Sequence, residues 1–570
     1  MNRNKLIVMS LLAVGIMFSG CDALKKMKKG AQDVKYAVNP PVLELVGDQV
    51  AVSVNGTYPA GYFNKKVVLT LTPVLQSGSN EQALEPYKVQ GEKVQENNKE
   101  IKLAGGSFSH ATSVAYKPDF QLSELMLRVS GSNGKKSLDF DPYKLADGII
   151  TTCLLVEKTG KPVYAADKYV RITPDTYEAD IKYLIQQSDV RTAETRKPEI
   201  LALNEAVKAA QANERVNFTG TLLSAYASPD GPLDLNTKLS SSREKTGMDF
   251  FTRSFKAAKV EDVMKSDLLK TVVTPEDWDG FKKAMEASNV RDKDLILRVL
   301  SMYADPEVRE KEIKNITAAY EEIKVQILPQ LRRSKLTVNV ELVGLSDQEI
   351  NAQFDSDPSK LKLEEILYAG TLTQDANRKL AIYQAAARYY PNDYRTKNNL
   401  GVAYLNLGRT SDAKTALNEA RNAENNDIVK NNLAVVALRE GNIAAAEELL
   451  NAAGTSDAVK FNLGTIKIIQ GKYTDAVSFF GNQVEVNAAL AKLLAKQNDA
   501  ALTTLNSVKS DDALVYYLKA IVGARTQNND LLMNNLRTAC DKSAALKANA
   551  KKDIEFGKYF DNNTFKSIVQ

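Results

Sequence analysis

The chemistry open to this chain is bounded first by its rarest side chains. His110 is the single histidine among 570 residues, so a multi-histidine metal site is excluded and any histidine-based triad would have to use it. It lies in Phe108-Ser109-His110-Ala111, which reads as strand or surface loop. The cysteines are Cys21, Cys153 and Cys540, with no CxxC pair. Cys153 and Cys540 read as buried free thiols, with a bond between them left open. Ser228-Pro229-Asp230-Gly231 is a turn signal. A catalytic site needs a base and a nucleophile within reach of each other, and no motif supplies the pair. The reading is therefore non-enzymatic, with neither cofactor nor metal.

The elements that must position these residues are those of packed domains. Hydrophobic residues make up 44% and charged residues 25%, enough for several cores in a chain long enough for three or four domains. The formal charge of +5, from 75 basic and 70 acidic residues, is too small and too spread for nucleic-acid binding.

Residues 1–21 read MNRNKLIVMSLLAVGIMFSGC, with Arg3 and Lys5 ahead of an apolar run from Leu6 to Phe18. That run is shorter than the ~20 residues a membrane span requires, which fits an export signal over residues 1–20. Ser19-Gly20-Cys21 resembles the lipobox of bacterial lipoproteins, with Phe18 in place of the usual aliphatic residue. The resemblance implies acyl chains, palmitate among them, on Cys21. They would anchor the protein at the periplasmic face of the outer membrane, since ~0.8 kcal/mol per buried methylene holds several chains firmly. Residues 21–33 read as a basic linker that lacks the acidic cluster common in surface-bound lipoproteins.

From 34 to 170 the pattern is strand-like. Val42–Val46, Val50–Val54 and Val67–Leu71 are β-branched runs, and Asn133-Gly134 between Leu125–Val129 and Ser137–Phe140 marks a hairpin. An immunoglobulin-like β-sandwich is predicted, acting as a spacer or contact module.

Over 178–343 strand and helix signals alternate: Ile181–Ile185, then Pro198–Ala212, Phe218–Tyr226, and Leu239–Phe255. Gly231, Asn236, Leu239, Ser240 and Arg243 match, without gaps, the pattern of OmpA-like peptidoglycan-binding domains, and Arg332-Arg333 followed by Leu336 resembles that family's closing strand. The resemblance implies an α/β fold and an aspartate–arginine clasp for the zwitterionic end of diaminopimelate. One carboxylate takes the ammonium and one guanidinium the carboxylate. Arg243 stands at the arginine position and Ser228 where the aspartate belongs, with Asp230 and Asp234 as the alternative carboxylates and Asn236 beside them. The stretch from Arg243 to Arg332 is longer than the family core requires, and a helical insertion over about 256–328 is predicted, opened by Thr274-Pro275-Glu276-Asp277.

Over 360–570 an internal repeat emerges. Asn399-Leu400-Gly401, Asn432-Leu433-Ala434 and Asn462-Leu463-Gly464 recur, in step with Gly408, Gly441 and Gly471 and with Ala413, Ala446 and Ala476. The interval and the small residues resemble tetratricopeptide (TPR) repeats, whose period is about 34 residues. That likeness implies an all-α solenoid with a concave groove for a protein partner's peptide or helix, and Ser543–Gln570 as its cap.

The whole reads as a multidomain chain: an N-terminal β-sandwich, a central α/β OmpA-like domain with a helical insertion, and a C-terminal TPR solenoid. The function expected is that of an outer-membrane lipoprotein acting as a periplasmic scaffold, touching peptidoglycan and recruiting a protein partner. The alternative is an assembly subunit of an outer-membrane or secretion complex whose OmpA-like pocket no longer binds peptidoglycan.

Overall fold

The structure, a computed structural model, describes residues 19–570; residues 1–18 of the expected export signal and the side chain of Cys21, the expected lipidation site, lie outside what it describes. The chain divides into two compact units, one of residues 167–374 and one joining the N-terminal residues through 166 to 375–570.

The 167–374 unit is built on a four-stranded sheet: β1 (Ile172–Lys182), β2 (Val216–Tyr226), β3 (Leu269–Thr274) and β4 (Arg333–Val343), in the order β1-β4-β2-β3. β4 runs antiparallel to both its neighbours, and β3 runs parallel to β2. Helices α1 (Pro198–Gln211) and α2 (Leu233–Ala258) supply Ile200, Leu203, Val207, Phe251 and Phe255 to a core completed by Ile181, Leu223, Leu336 and Val338. β1 begins well before the predicted strand at Ile181. Pro174 and its polar neighbours hide the strand signal, and the strand tolerates them because it lies at the sheet edge. A second difference is β3, a strand inside the stretch predicted to be helical. Its Thr271-Val272-Val273-Thr274 is β-branched but short, so helix signals on both sides mask it. The helices that follow, from Trp278–Glu286 to Leu328–Leu331, form their own core around Phe281, Met285, Ile296 and Ile323. Asp347–Ser356 and Leu363–Ala369 also belong to this unit, so the solenoid's unit resumes only at Asp375.

In the other unit two sheets occupy residues 35–150. One holds Lys35–Asn39, Leu43–Val46, Gln49–Tyr58 and Gly106–Ala115; the other is centred on Val68–Ser77 and Glu124–Ser132. Val54, Tyr58 and Phe108 of the first meet Leu69, Leu71 and Leu127 of the second in one core. The Asn133-Gly134 turn joins Glu124–Ser132 to Ser137–Asp139. Gly134 takes φ +81°, and the Asn133 side chain accepts from the Lys135 and Lys136 amides.

Residues 375–570 are TPR-like helix pairs: α3 (Ala376–Tyr389), α4 (Tyr394–Asn406), α5 (Thr410–Ala423), α6 (Asp427–Arg439), α7 (Ile443–Asn451), α8 (Asp457–Ile469), α9 (Tyr473–Phe480), α10 (Val486–Leu494) and three more helices to Lys542. Where paired helices cross, Ala413, Ala446 and Ala476 are fully buried. The turns between partners need a left-handed residue, which Gly408, Gly441 and Gly471 supply. The last stretch folds back over the end, burying Phe556 and Phe565 against Tyr517. The sheets and the solenoid share apolar contacts, because Leu43, Leu45 and Ile149 lie in one core with Ile468, Phe480 and Leu490.

Candidate functional site

The predicted site residues sit where β2 turns into α2. Asn236, Ser240 and Arg243 follow one another on the buried face of α2, each almost wholly enclosed. Asn236 Nδ2 donates to the Gly231 carbonyl at 3.0 Å and so closes the turn. Ser240 Oγ donates back to the Asn236 carbonyl at 2.7 Å. The matched motif residues therefore position the loop on the helix.

Arg243 is 1% exposed. Its guanidinium donates to three main-chain carbonyls: Gln187 at 3.0 Å, Tyr226 at 2.9 Å and Leu184 at 3.4 Å. The guanidinium also lies 5.2 Å from the centre of the Tyr183 ring. Burial draws its pKa down to about 10, so it remains charged at neutral pH. Ser228, also buried, donates to Asp230. Arg332 grips both, donating from Nε to Ser228 Oγ at 3.0 Å and from Nη2 to Asp230 Oδ2 at 3.0 Å. Its neighbour Arg333 pairs with Asp277 at 2.6 Å and covers the Tyr226 ring at 4.1 Å. Asp234 stands apart, exposed in the first turn of α2.

The structure thus brings Ser228, Asp230 and Arg332 into one bonded group, with Arg243 and Asn236 packed close by. Of the two carboxylates, Asp230 is committed to Arg332. Arg332 was expected only as part of the closing strand; its place next to Arg333 at the start of β4 puts it under the loop.

A second polar array was not read as a site from the sequence. Residues 157–165 run along the solenoid's helices, through a turn at Lys158-Thr159-Gly160 and then open backbone from Lys161 to Ala165, held by asparagines. Asn399 accepts from the Ala165 amide at 2.7 Å and donates to its carbonyl at 2.9 Å. Asn432 does the same to Val163 at 2.8 and 2.7 Å, Asn462 to Lys161 at 2.7 and 3.2 Å, and Asn487 to Glu157 at 2.9 and 2.8 Å. These residues lie on α4, α6, α8 and α10, the first helices of successive pairs, and each is at most 1% exposed. Asn398 and Asn431 lock the row by bonding the neighbouring amides and adding bonds to the Val163 and Lys161 carbonyls. The groove expected to hold a partner's peptide holds the chain's own segment.

Side chains set the segment's register. Tyr164 stacks on Tyr383 at 5.4 Å and accepts from Asn406 at 3.0 Å. Lys161 pairs with Glu485 at 2.8 Å. Gly160 packs on Val435, where an added Cβ would fall 2.9 Å from that side chain, and its φ of +68° also favours glycine.

Cys153 and Cys540 are free and buried, and burial raises both thiols above their ordinary range. His110 lies in the strand Gly106–Ala115, stacked on Tyr87 at 4.7 Å. Among the described residues, no cluster of potential metal ligands occurs and no helix is long and apolar enough to cross a membrane.

No protein-family model and no curated protein matches the chain. Solved structures similar to it include a tetratricopeptide repeat protein from Parabacteroides merdae, at 13% identity over 39% of this chain and 89% of that one, with TM-score 0.29. Another is YrrB, described as a TPR protein with an unusual peptide-binding site, at 16% identity over 36% of this chain and 100% of that one, with TM-score 0.21. A third is the APC/C hetero-tetramer Cut9-Hcn1, at 13% identity over 59% of this chain and 75% of that one, with TM-score 0.33.

Proposed function

We propose that the chain is a non-catalytic scaffold of the bacterial cell envelope, an assembly subunit anchored through Cys21 at the periplasmic face of the outer membrane. Its central unit is OmpA-like in descent, with a pocket converted to an internal clasp. The observation that carries this is the commitment of Arg243 and Asp230. A diaminopimelate end group needs a guanidinium and a carboxylate with free valences, whereas here the former serves three main-chain carbonyls and the latter serves Arg332. Ser228 supplies no charge to replace it.

One observation favours the second reading, in which peptidoglycan is still bound. Arg243 holds a buried positive charge whose direct bonds are all to neutral carbonyls, a place where a ligand carboxylate would gain by displacing the loop. Sedimentation of the full chain with purified sacculi separates the two. The proposal expects the protein to stay in the supernatant; retention that Arg243→Ala abolishes would establish the second reading. Metabolic palmitate labelling tests the anchor, and an unlabelled chain would remove it.

A further inference from the structure

We propose that the asparagine row is a binding site for extended peptides, with residues 157–165 as its resident ligand and a partner's segment of like chemistry as the occupant that replaces it. The inference rests on the scaffold reading for the existence of a partner, and on the solenoid alone for the chemistry.

Each of the four asparagines spends both halves of its amide on the N–H and C=O of a single residue. That geometry recognises backbone and is indifferent to side chains. Over Lys161, Val163 and Ala165 it takes alternate residues of an extended stretch, while Asn487 takes Glu157 from beyond the turn at Lys158-Thr159-Gly160. A surface needed only to fasten a loop could bury apolar side chains instead. Carrying six buried amides is costly unless a strand always satisfies them, so an occupant is required, and its identity is set at a few side-chain positions.

Those positions define the partner. Ala165 is 3% exposed, so its counterpart must be small. The place of Tyr164, against Tyr383 with the Asn406 amide at its hydroxyl, takes an aromatic residue with a polar tip. Lys161, between Glu485 and the Phe461 ring, calls for a basic residue. The partner is thus an extended segment of the form basic-Pro-aliphatic-aromatic-small, lying in the same direction as the resident strand. Tethering gives the resident an effective concentration in the millimolar range, so a free peptide competes poorly until the resident is loosened.

The test uses the full chain and a fluorescein-labelled peptide of residues 157–166, read by anisotropy. Val163→Asp with Ala165→Arg loosens the resident strand, and Tyr164→Ala is the milder variant. Either one should bind the peptide at least tenfold more tightly than the unaltered chain, and adding Asn432→Ala with Asn462→Ala should abolish that binding. Three results would overturn the proposal: folded loosened variants that bind nothing, an unaltered chain that binds as tightly as they do, or loss of helical circular dichroism in both variants, which would make the strand part of the solenoid's fold. The assay involves neither sacculi nor membrane, so its failure is distinct from failure of the scaffold reading.

Discussion

The two buried polar arrays solve opposite problems. In the 167–374 unit, one ion pair and a hydroxyl satisfy one another: Ser228, Asp230 and Arg332 form a closed set, with Arg243 turned onto neighbouring carbonyls. In the solenoid, neutral amides reach out to a backbone more than two hundred residues away in sequence. A closed set of charges leaves no valence for a ligand, while a row of amides is incomplete without one. The motif that resembles a known binding site is thus the self-contained array, and the one that resembles ordinary repeat packing is the receptive one.

The difference can be broken from either side. Arg332→Ala strands the Asp230 carboxylate in a site where its pair is largely enclosed, and should cost about 3 kcal/mol. A urea midpoint unchanged by it would show that the charges do not hold the loop. Asn432→Ala leaves the Val163 N–H without a partner and its carbonyl with the Asn398 bond alone, and should destabilise its own unit by about 2 kcal/mol, with no effect on the other. Differential scanning calorimetry that resolves the two units checks this.

A third cluster sharpens the contrast between neutral and charged networks. Asp553, buried in the C-terminal cap, accepts from Tyr517 at 2.8 Å, and burial with the neighbouring Glu555 pushes its pKa up to about 6. Between pH 4 and 6 the folded chain keeps a proton that the unfolded chain has released. Stability from this group therefore falls as pH rises through that window, by on the order of 2 kcal/mol, and levels off above it. Urea midpoints from pH 4 to 8 should show this slope, and Asp553→Asn should flatten it. The smallest effect expected is at the turns: Gly408→Ala, at φ +73° with open space around it, should cost about 1 kcal/mol from backbone strain alone, visible as a small fall in Tm.

Much of the architecture was legible in the residues. The repeat showed itself through Gly408, Gly441 and Gly471 because a left-handed turn admits few alternatives, and the Asn133-Gly134 hairpin did so for the same reason. β3 escaped because four β-branched residues between helices give too short a signal, and β1 because its edge position permits a polar, proline-containing strand. For the loop, Ser228, Asp230 and Arg243 were picked out by the resemblance to the OmpA-like pattern, but nothing local reveals that Arg332 closes it from the other end of the domain. The asparagine row is the instructive miss. Asn399, Asn432 and Asn462 were visible as periodic marks, and the doubled Asn398-Asn399 and Asn431-Asn432 were a further sign, since consecutive amides on a helix lower its propensity and seldom serve packing. Their ligand was invisible because a segment such as Lys161-Pro162-Val163-Tyr164-Ala165 has no signature of its own until something binds its backbone.

Hydrogen exchange of the full chain, resolved by mass spectrometry for the segment 157–166 and for α6 and α8, tests the receptive groove most directly. The segment should be protected at Lys161, Val163 and Ala165, yet exchange through an opening of lower free energy than that of the helices beneath it. Exchange at the rate of free peptide would show that the asparagines hold nothing, and exchange only in step with the helices would show that they never let go.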